Sequence, residues 1–147
     1  MGNIRLSVKD DFNRRPGLRT HAITPGNSGE DFYHNILNSQ FYEALVAGVK
    51  LIVDLDDTAG YPPSFIDESF GRLTYDFGID KVKGVLEIIS NDEEIWKTTI
   101  NDSVLPKWQR RREKNEYPKM SDSFTPSPWW HCDKNGNISK IDTYYGA

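Results

Sequence analysis

The sequence predicts an α/β fold, and three stretches carry that prediction. Residues 49 to 55 hold Val49, Leu51, Ile52, Val53 and Leu55, the apolar, β-branched run of a buried central strand. Residues 64 to 77 place Ile66, Phe70, Leu73 and Phe77 at helical spacing. Residues 84 to 90, GVLEIIS, then form a second buried strand through Val85, Leu86, Ile88 and Ile89. Strand, helix and strand in that order, punctuated by Gly, Pro and Asn, mark a layered α/β domain.

The other elements follow from local chemistry. Ile4, Leu6 and Val8 alternate with polar residues and give an edge strand over 3–8. Leu18 to Ile23 gives a second short strand, ended by Thr24, Pro25, Gly26 and Asn27, so an antiparallel pair and a mixed sheet are expected. Ser28 caps a helix through about Leu37, with Glu30 and Asp31 in its first turn. Ser39 caps the next, which runs to Gly48 as a separate helix or as the second half of one bent helix. On the central helix Ser64 is the cap and Asp67 its capping-box partner, while Asp67, Glu68 and Arg72 face water and Glu68 pairs with Arg72. Asn91 and Glu94 cap a last helix, which buries Ile95, Trp96, Thr99 and Ile100 and stops before Pro106. Residues 102–128 read as a linker or wrapping arm. Residues 129–145 read as a hairpin, with Asn135-Gly136 in a type I′ turn, that packs on this chain or on a second copy. The organisation is thus a domain over 1–101, an arm over 102–128 and a hairpin extension over 129–147.

Composition limits the function. With 147 residues the chain holds one domain plus an appendage, and four Trp, seven Tyr and seven Phe supply core volume. The single Cys132 excludes an internal disulfide, and no apolar run is long enough to span a membrane, so a cytoplasmic protein is expected. A net charge of −4 gives no drive toward nucleic acid. The basic run Lys107, Arg110, Arg111, Arg112, Lys114 and Lys119 reads as a solvated helix face or linker. His131 and Cys132 are only two adjacent ligand types, and His21 and His34 lie at unrelated spacings, so neither a metal nor another cofactor is expected.

Function is expected at the loop after the central strand, because open α/β sheets present ligand groups there. Its polar cluster is Asp54, Asp56, Asp57 and Thr58. The string LIVDLDDT resembles motif I of the haloacid-dehalogenase-like phosphotransferases, which implies Asp54 as nucleophile, Asp56 as acid/base and a bound Mg²⁺. IIS, ending at Ser90, mimics that family's second motif, but only 57 residues follow and no acidic pair ends a further apolar strand.

A wider resemblance runs through NRRPGLRTHAITPGNSGEDFYHNIL, LIVDLDDTAGYPPSFIDESFGRL and LEIISNDEEIW, over about residues 12 to 101. With Gly60, Tyr61, Ser64, Phe65, Glu68, Phe70 and Gly71 in its hallmark segment, the chain resembles the bacterial STAS-like domain family of unknown function. The resemblance implies the fold of anti-sigma-factor antagonists, a mixed sheet backed by helices, here with the hairpin extension. It also implies a non-enzymatic regulatory protein-interaction module whose matching serine, Ser64, is phosphorylated by a histidine-kinase-like ATPase partner. Pro63, Ser64, Phe65 and Ile66 stand where the antagonists carry Asp-Ser-Ser-Gly, so Ser64 is read as a phosphorylation site or as a helix cap. The expected partner-binding loop comprises Asp56, Asp57, Gly60, Tyr61, Phe65 and Glu68, with a second copy of the chain as a further candidate partner. The alternative reading is a Mg²⁺-dependent phosphotransferase using Asp54 and Asp56.

Overall fold

Three short parallel strands make the sheet in the computed structural model, which describes residues 2–144; positions 145–147, the end of the expected hairpin extension, lie outside the described residues. Strand β1 is Ile4–Ser7, β2 is Leu51–Asp54 and β3 is Leu86–Ile89, with β2 in the middle. The register sets Leu6 beside Val53 and Val53 beside Ile88, so one face presents a buried apolar row to the helices. The opposite face carries Ile52 between the exposed Arg5 and Glu87.

The expected second N-terminal strand does not form, and the sheet is parallel rather than mixed. Side chains take the N–H groups that a strand would have paired. Leu18 N–H donates to Thr24 Oγ1 at 2.9 Å and His21 N–H to Glu30 Oε1 at 2.8 Å, which winds residues 18–27 into turns.

The helices show where local signals hold and where tertiary contacts override them. Helix α1 (Val8–Asp11) is one turn capped by Ser7. Helix α2 (Gly29–Phe32) opens with a reciprocal capping box between Ser28 and Asp31, passes through a wide π-type turn at Tyr33–Leu37 and continues as α3 (Asn38–Ala47). This is the bent-helix alternative; Ser39 lies inside it rather than capping it. Gly48 ends it at φ 70°, which favours glycine.

Helix α4 (Pro63–Phe77) differs most from expectation. Every residue from Glu68 to Phe77 is buried, so from Glu68 onward the helix is enclosed on all sides and has no water-facing stripe. Its expected cap also shifts. Pro62 occupies the N-cap position with no side-chain cap bond, and Ser64 falls one residue inside the first turn, because two prolines already fix the starting dihedrals. Beyond Gly78, helix α5 (Ile79–Val85) replaces the expected lead-in to the strand, so β3 starts only at Leu86.

Helix α6 (Ile95–Thr99) does not stop before Pro106. It widens into a second π-type turn at Ile100–Val104 and resumes as α7 (Leu105–Glu113), with Pro106 the second residue after the wide turn. Trp108 of α7 lies on Gly71 of α4. Residues 114–128 carry no regular element but lie along the core through Lys119, Ser121 and Phe124. They lead into β4 (Trp129–Cys132) and β5 (Ile138–Ile141), the antiparallel hairpin expected here. Its turn is not type I′: only Gly136 has positive φ, and Asp133 Oδ1 accepts N–H bonds from Asn135 and Asn137 to close a longer loop.

A methyl group at Gly71 would overlap the Trp108 indole, whereas one at Gly84 would meet nothing within 4 Å. Gly71→Ala is expected to lose about 1–3 kcal/mol in urea unfolding, and Gly84→Ala, inside α5, to gain about 0.5–1 kcal/mol.

Candidate functional site

The loop between β2 and α4 is stapled to the loop after β3 by carboxylates. Asp56 accepts from the backbone N–H of Asn91 at 2.7 Å, that of Asp92 at 2.9 Å and the Asn91 amide at 2.9 Å. Desolvation opposes its charge, but the Asp92 and Asn91 donors together outweigh it and lower its pKa from the ordinary carboxylate value. Asp54 Oδ1 accepts from Asp56 N–H at 2.9 Å, and Asp92 Oδ2 from Asp57 N–H at 2.8 Å. Asp57 takes φ 67° and Gly60 φ 108°, conformations suited to short polar residues and glycine. The Tyr61 ring is buried and its hydroxyl donates to Leu55 O at 2.8 Å; burial raises its pKa above the ordinary phenol value. What remains on the outside is a rigid acidic rim formed by Asp57, Asp92, Glu93 and Glu94, all exposed, with Ser64 half-buried at the nearby start of α4.

The expected partner-binding residues therefore separate. Asp56, Asp57 and Gly60 belong to the rim, while Tyr61, Phe65 and Glu68 point inward, and Phe65 has no exposed surface. Asp54 and Asp56 lie next to one another, but both spend carboxylate oxygens on backbone N–H groups. Among the described residues no group of three or more His, Cys, Asp or Glu side chains is placed to hold a metal ion.

Glu68 belongs instead to a buried ionic network that the sequence did not disclose. The Arg72 guanidinium, also buried, bonds Glu68, lies 3.5 Å from Glu30 Oε2 and donates to the carbonyl of Lys119. Burial opposes its charge, but Glu68 and then Glu30 raise its pKa above the ordinary guanidinium value. Arg19 reaches Asp67 at 2.8 Å and Glu68 at 3.0 Å. Asp67 is also held by Lys107 at 2.5 Å and Trp108 Nε1 at 3.1 Å; these bonds outweigh partial burial and depress its pKa. One turn on, Asp76 gathers Tyr33, Tyr144 and His131. The i,i+4 spacing of Glu68 and Arg72 signalled a pair, but nothing in its spacing distinguishes a buried pair from a solvated one.

His34 is half-buried, with both ring nitrogens out of contact with water. It is edge-on to Tyr33 and Trp129, close to Phe124, and neither ring nitrogen has a partner. Burial, and secondarily Arg72, pushes its pKa well below the ordinary histidine value.

Residues 28–96 match the family model of a STAS-like domain of unknown function (DUF4325). The matched stretch begins at the Ser28 cap and includes β2, the rim, α4 and β3. Strand β1, helix α7, the arm and the hairpin lie outside the matched stretch. No curated protein and no solved structure matched the chain.

Two measurements follow. Ser64→Ala is expected to change stability by less than about 0.5 kcal/mol, because no cap is lost, whereas Ser28→Ala should cost about 1 kcal/mol in the same urea titration. The second concerns pH. Since the folded pKa of His34 lies below its unfolded value of about 6.5, the unfolded chain binds a proton that the folded chain does not, and stability falls as pH drops below 6.5. His34→Phe should flatten that slope between about pH 6.5 and 5 by up to 1.4 kcal/mol per unit, read from unfolding free energies at each pH.

Proposed function

We propose that this STAS-like domain acts in the cytoplasm as a non-enzymatic regulatory module that docks a protein partner on the acidic rim. Ser64 is its phosphorylation switch, and a histidine-kinase-like ATPase is the partner that reads it. The observation that carries this reading is the rim's rigidity. Its backbone is held by Asp54, Asp56 and Asp92 rather than left to solvent, so docking costs little ordering entropy. A surface of Asp57, Asp92, Glu93 and Glu94 suits a basic partner face and disfavours an acidic one. The position of Ser64 fits a switch better than a cap, because no capping bond from its hydroxyl has to be broken on phosphorylation. A phosphate there adds about −1.5 to −2 charges beside a rim that is already negative. No helix among the described residues is long and apolar enough to cross a membrane, which fits a partner met in solution.

The test uses the full chain as bait, with mass spectrometry of the captured partner and of Ser64, followed by calorimetry on that partner. Ser64→Ala should bind like wild type. Ser64→Asp and the Glu93→Lys, Glu94→Lys double variant should each lose at least about tenfold in affinity while melting like wild type. Unchanged affinity in both would remove the rim and Ser64 from the docking surface.

A further inference from the structure

A second concentration of chemistry lies away from the rim, where the hairpin meets α4. Asp76 is fully buried on α4; its Oδ2 accepts from the Tyr33 hydroxyl and, at 3.2 Å, from that of Tyr144. Its Oδ1 lies 2.7 Å from Nδ1 of His131 on β4. Burial and the neighbouring Asp76 raise both phenols well above their ordinary pKa, so both hydroxyls keep their protons and donate. A carboxylate on Nδ1 sets the tautomer of a neutral imidazole, with the proton on Nδ1 and the lone pair on Nε2.

That ring is not sealed. The His131 side chain keeps 15 % of its surface and lines a cavity of about 240 Å³ together with Tyr75, Tyr117, Arg112, Asp133 and Lys134. Arg112 donates to the carbonyls of Tyr75 at 2.5 Å, Cys132 at 2.8 Å and Asp133 at 3.3 Å. Lys134 donates to Glu113 O at 3.3 Å and Asn115 Oδ1 at 2.8 Å. Neither cation has a carboxylate partner among the described residues, so both leave positive charge on the cavity wall. The one carboxylate in the wall, Asp133, is engaged by the N–H groups of Asn135 and Asn137, each at 2.9 Å.

We propose that His131 is a phosphoryl-acceptor site, whose Nε2 takes a phosphoryl group from a small donor of the phosphoramidate class admitted by this cavity. In the step, the Nε2 lone pair forms the N–P bond while the bond from phosphorus to the donor's protonated amine breaks and ammonia leaves with that electron pair. The Nδ1 proton stays in place, and the positive charge gained by the ring is balanced by Asp76. Arg112 and Lys134 raise the local concentration of the anionic donor. This site is independent of the acidic rim and of Ser64.

His21 provides a control within the same molecule. Its Nδ1 also meets a carboxylate, Asp31 Oδ1 at 2.8 Å, but its ring stacks on Phe124 and is not part of this cavity's wall. The full chain would be incubated with phosphoramidate and followed by peptide mapping and ³¹P NMR. His131 should be labelled at Nε2 at least about tenfold faster than His21, the low end of what a charged cleft gives by concentrating a ligand. Lys134→Gln should slow His131 by about twofold to fivefold, the range an exposed charge is worth, and leave His21 unchanged. Absence of label on His131, or equal rates at the two histidines, would overturn the proposal. Because the His131 and His21 rates are read in the same sample, their ratio within each protein does not depend on how much protein is present.

Discussion

Arg72 must keep its charge where it has almost no contact with water, and much of the architecture supplies what that requires. A buried guanidinium without partners would cost several kcal/mol, and although Nη1 has no hydrogen-bond partner, the charge is met by groups from several parts of the chain. Glu68 comes from the same helix, Glu30 from the first turn of α2, and the Lys119 carbonyl from the arm. Glu30 in turn binds the N–H groups of His21 and Ser121, and Glu68 shares Arg19 with Asp67. The N-terminal turns, the α2 start and the arm are therefore tied to α4 through one charge cluster. Asp76 repeats the device one turn later and fastens the hairpin.

This arrangement explains which parts of the fold could be read from the residues. Helix α4, its flanking strands, the Ser28 cap and Gly48 rest on local rules and were legible. The Leu18–Ile23 turns were not, because the groups that divert them, Thr24 and Glu30, act through side chains that an alternating pattern ignores. Helix α7 was missed because Pro106 looks like a stop until the wide turn before it is known. The burial of α4 was missed for a deeper reason. Its covering groups, Trp108, Lys119 and His131, lie far along the chain, and charged residues four apart fit a wet face equally well.

The candidate site divides in the same way. Asp56, Asp57 and Gly60 stand out as a polar loop at the end of a strand, and the structure places them on a stiff rim. Tyr61, Phe65 and Glu68 share the same motif but hold the loop and helix from inside, so a sequence hallmark mixes surface residues with those that support them. The Asp76–His131 pair leaves no motif, because 55 residues separate its members and only the folded tail brings them together.

The central claim is that α4 binds the family-matched stretch, residues 28–96, and the tail beyond it into one cooperative unit. Native-state hydrogen exchange of the full chain tests it most directly. The account predicts that amides of β4 and β5 open with the same free energy, and the same denaturant dependence, as amides in the middle of α4. Hairpin amides that exchange through an opening several kcal/mol below that of α4 would show the tail to be a loosely attached tether and would contradict it.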